Sequence, residues 1–312
     1  MDIVAIINYK GGVGKTTLTA NLGAELAWRG NKVLLLDLDP QASLTFSFVK
    51  PEYWRSNLAQ NGTIKRWYDS ASEAKPLDLA SIIISPNAVA QKLGTKRGRL
   101  DLVPSDLGLI NVDLELATEL GGTNLTQAKL RYLRVHRRLA EELSKPEFQD
   151  YDYVLIDCPP NFNIVTKTAI VASNSILIPA KADYLSTLGI DYLQRSLREL
   201  VTDYNEYAQL EAGSSEDQPI DPQIIGVVFT MIQFYAGEPI AALRQYINQT
   251  RRLGVPVFDN YIRENKTLFG EAPQFGVPLA LRDTGPKAEK IIRELELLVS
   301  EFEDKLEGRD GQ

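Results

Sequence analysis

The chain has 312 residues, with 34 Lys+Arg against 41 Asp+Glu and a formal net charge of −7. Its single Cys excludes an intrachain disulfide framework, a cysteine-based zinc site and a cysteine-held iron–sulfur cluster, and its single His all but removes a multi-histidine metal site. No run of about 18 apolar residues is present to span a bilayer, Met1-Asp2 leads straight into a strand-like run with no room for a signal peptide, and the acidic balance weighs mildly against a nucleic-acid partner.

Ile3-Val4-Ala5-Ile6-Ile7 is a short apolar run rich in β-branched residues, which suits a strand buried on both faces of a parallel sheet. A glycine-rich segment follows. A helical pattern then runs from Thr16 to about Arg29, with Leu18, Leu22 and Leu26 on one face and Gly30 as its stop. Val33-Leu34-Leu35-Leu36 is the next strand, so the order strand, glycine loop, helix, strand is a right-handed βαβ unit. Residues 46–99 hold two of the three Trp and show no clear period; they read as an insertion-like region. Leu100-Asp101-Leu102-Val103 is a weaker strand, followed by Tyr153-Val154-Leu155-Ile156, Ser175-Ile176-Leu177-Ile178 and the run from Ile224 to Phe229. Amphipathic helices are expected at about 126–144, 187–207, 239–251 and 286–306, and the Gly-, Ser-, Pro- and acid-rich residues 211–222 read as a loop. The pattern predicts one α/β domain over 1–312, doubly wound, with a mostly parallel sheet and helices on both faces.

Lys10-Gly11-Gly12-Val13-Gly14-Lys15-Thr16-Thr17 carries the strongest chemical signal. Glycines let the backbone wrap closely enough to aim its N–H groups at phosphate oxygens, and the helix that begins here adds its positive N-terminal end. Gly11, Gly12, Val13, Gly14, Lys15, Thr16 and Thr17 are therefore the expected nucleotide cradle. Lys15 reaches the β and γ phosphates and the Thr16 hydroxyl ligates Mg²⁺. Tyr9 stands where the standard pattern has glycine, and Lys10 is a second lysine. Asp157 ends a buried strand, where its carboxylate can hold Mg²⁺ through water. Cys158 directly after it reads as a small buried hydrophobe, and His136 as a surface residue of a helix.

At this point the chain resembles the ParA/MinD group of deviant Walker ATPases. Lys-Gly-Gly-Val-Gly-Lys-Thr-Thr is that group's loop; Asp37-Leu38-Asp39-Pro40-Gln41 looks like its switch I; Asp157-Cys158-Pro159-Pro160 looks like its Walker B and switch II. Gly226 to Met231 is similar to the strand before the base pocket, and Asn265 to Pro278 to the segment beside it, so Met231 and Asn265 join the expected ATP contacts. The resemblance implies a slow, partner-stimulated ATPase in which Asp39 is required for hydrolysis, Asp37 supports the Mg²⁺ shell and Lys10 reaches across a nucleotide-sandwich homodimer to the partner's phosphates. It further implies that the ATP dimer binds DNA nonspecifically, here through Arg198, Arg244, Arg251, Arg252, Arg263 and Lys266, and that a ParB-like or other cargo adaptor releases it. Such a protein is cytoplasmic and nucleoid-associated, and moves plasmid or chromosome DNA. Arg263-Glu264-Asn265 departs from the Pro-Arg-Asn often found in the group.

Four other readings compete. Positioning of a protein assembly, such as carboxysomes, uses the same machinery with another cargo. A MinD-like membrane ATPase would end in a basic amphipathic helix, whereas residues 294–312 hold seven acids against two bases, so no membrane is expected. A metabolic relative of the nitrogenase iron-protein type needs more cysteines than Cys158, and a small-molecule ligase or kinase lacks the ParA-like C-terminal segment. With the P-loop starting at residue 10, no operator-binding helix-turn-helix is expected before it.

Overall fold

The computed structural model describes residues 1–71, 73–122, 124–209, 219–235, 238–282 and 285–310. Six strands form one parallel sheet: β1 Asp2–Ile6, β2 Lys32–Asp37, β3 Arg99–Val103, β4 Tyr153–Asp157, β5 Ser175–Lys181 and β6 Gln223–Thr230, in the order β3-β2-β4-β1-β5-β6. Each strand is a near-continuous apolar run because helices cover both faces of the sheet. One core lies between the sheet and helices Leu109–Glu119, Leu125–Leu143, Ile164–Ala172 and Tyr184–Ala208; the other holds helices Lys15–Trp28 and Pro286–Asp310. Leu18, Leu22 and Leu26 are fully buried, each stabilising the fold by about 1.5–3 kcal/mol. The first helix ends as expected at Gly30, whose φ of 110° lets its N–H reach Ala27 O while Asn31 N–H reaches Leu26 O.

Register matters more for function than strand order. Ile6 pairs with Asp157, and Asp37 also pairs with Asp157, so β1, β2 and β4 finish level. The loop leaving β1 therefore emerges beside two aspartates, in the crevice at the carboxyl ends of the strands where ligands of such sheets bind.

Residues 46–99 lack a period because they fold as short helical turns, each dropping one or two side chains into a core: Phe48, Leu58, Val89 and Leu93 on one face, Ile64, Trp67, Tyr68 and Leu79 on the other. Ile84 bridges antiparallel to Leu102, fastening this region to the β3 edge. Of the expected loop 211–222, residues 211–218 lie outside the described residues.

His136 corrects the sequence reading. It is 1 % exposed rather than on the surface, stacked on Tyr132, because the helix that carries it buries a wide face. Burial, with Lys167 adding repulsion, pushes its pKa from 6.5 down to about 4. The folded value lies below the unfolded one, so the neutral ring carries no penalty above about pH 6.5, and the cost of protonating it grows as pH falls toward 4. His136→Phe keeps the stacking and removes the titration. Its urea-unfolding stability relative to the parent protein is expected to improve by up to ~3 kcal/mol between pH 6.5 and 4, and a difference that stays flat over that range rules His136 out as the cause.

Candidate functional site

The loop after β1 is shaped by two glycines in left-handed conformations, Gly12 at φ 66° and Gly14 at φ 83°, where a side chain would be strained. It is tied down at both flanks. Asn8, buried, donates to Pro179 O at 2.7 Å and accepts from Lys10 N at 2.8 Å; Thr230 at the end of β6 donates its hydroxyl to Val13 O at 2.6 Å. The helix Lys15–Trp28 starts at Gly14 with no side-chain cap, leaving its first amides for a ligand.

Inside the loop, Lys15 is buried and its ammonium rests on loop carbonyls, Asn8 O at 3.3 Å and Lys10 O at 3.5 Å. Burial lowers its pKa while the charges of Asp157 and Asp39 oppose that shift. The Thr16 hydroxyl donates to Asp157 Oδ2 at 2.7 Å. The other oxygen, Asp157 Oδ1, is buried without a hydrogen-bond partner among the described residues. Burial first, and Asp37 next, raise the Asp157 pKa well above the ordinary carboxylate range. An orphaned carboxylate oxygen beside a threonine hydroxyl fits a hydrated Mg²⁺. Among the described residues no group of three or more His, Cys, Asp or Glu gathers here, so such an ion would rest on hydroxyl, phosphate and water oxygens together with Asp157.

Asp37 is committed elsewhere than its expected place in the Mg²⁺ shell. It is fully buried; Oδ2 accepts from Thr45 N and Thr45 Oγ1, both at 2.7 Å, and Oδ1 accepts from Asp39 N at 3.2 Å. Burial raises its pKa to about 7 despite those bonds. It braces the segment that carries Asp39. Asp39 itself is half-buried, close enough to act on Lys15, with Oδ1 accepting from Gln41 N at 2.9 Å.

Lys10 points away from the cradle. Its ammonium lies 2.6 Å from Asp183 Oδ2 and 3.5 Å from Ser186 Oγ, at the start of the Tyr184–Ala208 helix that Asp183 caps. Burial pushes the Asp183 carboxyl up, and the bonds from Lys10 and Ser186 outweigh it, holding it below its ordinary range. Tyr9 fills the glycine position by packing between Phe162 and Tyr192, with ring centroids at 5.7 and 5.1 Å. Cys158 is buried as expected, and burial pushes its thiol pKa well up.

Next to Gly14 and Thr17 opens a cavity of about 240 Å³, walled by Thr230, Met231, Arg263, Asn265 and Phe269. Met231 and Asn265, the two expected ATP contacts outside the loop, are both among these walls; Met231 adopts a left-handed φ of 55°, and Asn265 caps the short helix Lys266–Gly270 by accepting from Leu268 N at 3.0 Å. A larger open depression of about 910 Å³ along Glu289, Ile292, Arg293 and Glu296 touches none of the motif residues.

The six expected DNA contacts are not brought together. Arg263 lines the 240 Å³ cavity, is ion-paired to Glu294 and lies 4.8 Å over the Phe234 ring; Lys266 borders the same cavity. Arg251 is paired with Asp259 at 2.8 Å. Arg198 lines a groove with Gln223, Ile224, Gly254 and Pro256, at the amino ends of the strands and so at the far end of the sheet from the cradle. Arg198, Arg244 and Arg252 are exposed and have no acidic partner among the described residues. The six are spread apart because the chain runs the length of the sheet between Thr230 and Gly254. Sequence reasoning also missed Asn8, Thr45, Ser105, Asp183 and Thr230. Of these, only Asp183 carried a local signal, as an acid three residues before Ser186 opening a helix.

A family model for an AAA domain matches residues 1–210. The sporulation initiation inhibitor protein Soj of Bacillus subtilis is 29% identical over 294 residues, 94% of this chain and 96% of that protein. The chromosome partitioning protein ParA of Caulobacter vibrioides is 29% identical over 288 residues, 91% and 88% of the two chains. An ATP complex of McdA from Cyanothece has the same fold, with a TM-score of 0.67 at 22% identity and coverage of 98% of this chain and 96% of that one. The phosphate loop, the level aspartates and these likenesses agree, and the chain belongs to the AAA-domain family as a ParA-type ATPase.

Proposed function

We propose that the protein binds ATP with Mg²⁺ in the loop of residues 10–17, closes into an ATP-dependent homodimer, and in that state binds DNA without sequence preference until partner-stimulated hydrolysis releases it. The observation that carries this reading is the divergence of the two lysines: Lys15 serves the cradle of its own chain, while Lys10 is held outside it on Asp183, free to be handed to phosphates of a second chain. Thr16 and Asp157 would hold the Mg²⁺, which supplies charge neutralisation on the phosphates when bound. Asp39 orients the attacking water. Met231, Arg263 and Asn265 enclose the base. The name of the Caulobacter relative supports partitioning of a chromosome as the cargo class; an adaptor on the cargo as the stimulating partner, and the nucleoid as the place of work, complete the proposal.

The DNA face is drawn from Arg198, Arg244 and Arg252, which are exposed and have no acidic partner among the described residues; Arg251, Arg263 and Lys266 are secondary because neighbouring acids already engage them. Three free arginines in each of two protomers make about six phosphate contacts, which costs roughly 10³-fold in affinity between about 50 and 200 mM salt. Fluorescence-anisotropy titration of duplex DNA at several salt concentrations is expected to show that slope with ATP and only weak binding with ADP. Equal binding in both nucleotide states, or binding that ignores salt, refutes the DNA step. Capture on anionic vesicles instead would favour the membrane reading. Against that reading, the C-terminal helix is engaged with its own chain, Glu303 with Arg29 and Glu294 with Arg263.

A further inference from the structure

We propose that Ser105 is a positioning residue for Asp39, and that residues 46–99 reach the nucleotide site through it. The inference rests on the reading of Asp39 as the group that orients water. Ser105 follows β3 by two positions and has no accessible surface. All three of its polar atoms are bonded, each to a different part of the chain. Its hydroxyl donates to Asp39 O at 2.8 Å, its amide donates to Thr45 Oγ1 at 2.8 Å, and its carbonyl accepts from the Trp54 indole at 3.1 Å. Thr45 Oγ1 in turn donates to Asp37 Oδ2. One buried serine thus joins the catalytic turn, its brace and the region that the sequence left unexplained.

The turn it holds is strained. Asp39 O also accepts from Ala42 N at 2.8 Å, closing a tight turn over residues 39–42 in which Ala42 adopts φ 52° without being glycine. A left-handed alanine persists only where its surroundings over-determine it. Asp39 N is fixed by Asp37 Oδ1 and Asp39 O by Ser105, so the backbone on both sides of the carboxylate is pinned. Trp54, packed edge-on to Phe46 at 5.8 Å, keeps Ser105 from sliding along the turn. Ser105 lines neither the phosphate loop nor the cavity beside it. Its loss should leave ATP binding intact while loosening the aim of Asp39.

Ser105→Ala is expected to lower kcat by about tenfold with KM for ATP changed less than about twofold, the loss of one buried hydrogen bond. Amide exchange of Gln41 and Ala42 should accelerate by a similar factor while that of β2 stays put. Trp54→Phe, which keeps an aromatic ring and removes the N–H, should move both readouts the same way by a smaller factor, and it carries the test if Ser105→Ala fails to fold. Unchanged kcat with unchanged exchange overturns the proposal. So does a fall in kcat accompanied by an equal rise in KM and a lowered melting temperature, which marks general loosening. A parent protein that does not turn over ATP refutes the reading of Asp39 instead, and exchange at Gln41 and Ala42 then decides the clamp by itself.

Discussion

Asp39→Ala is expected to bind ATP about as tightly as the parent protein and to lose at least roughly 10²-fold of its turnover, accumulating as an ATP-bound dimer. The cradle does not depend on this side chain: the loop is tied by Asn8 and Thr230, and Lys15 sits on loop carbonyls. What the carboxylate supplies is an acceptor facing the same space as Lys15, on a turn whose ends are both fixed. Phosphoryl transfer needs little covalent help from protein, so misplacing the attacking water costs rate and not affinity. Single-turnover hydrolysis alongside sizing in ATP checks both halves. Full turnover by the variant removes Asp39 from the chemistry.

Lys10→Ala should give the converse phenotype: nucleotide bound, dimer lost. The ion pair that holds Lys10 is about one-third exposed on each side, and such pairs contribute about 0–1 kcal/mol. A lysine placed against phosphate in a desolvated interface is worth far more, with removal costing about 2–5 kcal/mol. In the proposed dimer, phosphates of the second chain would therefore outcompete Asp183. Deleting the lysine should weaken ATP-dependent association by on the order of 10²-fold or more. Sedimentation velocity with ATP is the measurement, and an intact dimer in the variant would refute the role given to Lys10.

Local signals fared well wherever burial on two sides leaves an unbroken apolar run, as in Val33 to Leu36 or Val154 to Ile156. The cradle was legible because left-handed turns and close phosphate approach demand glycine at set spacing, as Gly12 and Gly14 show. Partnerships between distant positions left no such trace. Lys10 and Asp183 are 173 residues apart, and nothing near either announces the other. Ser105 looks like an ordinary loop serine until its three bonds are seen. His136 was misplaced because arginines flank it in sequence, although the helix turns it inward. The basic residues were chosen by likeness to the group's DNA face, which says nothing about which end of a strand each one occupies here.

The C-terminal helix closes on the P-loop helix through Arg29, whose guanidinium bonds Glu303 across 274 positions of sequence. The same helix anchors the cavity wall through Glu294 and Arg263, and supplies Leu295, Leu298 and Phe302 to the core beneath Leu18 and Leu22. At about 5–20 residues per second, a ribosome needs on the order of tens of seconds to travel from the first of these elements to the last. Throughout that interval the nascent chain exposes a glycine loop whose supporting helix has no cover on one side. The nucleotide site is consequently a late product of synthesis: the cavity wall that Arg263 contributes gains its brace from Glu294 only after the C-terminal helix has been made.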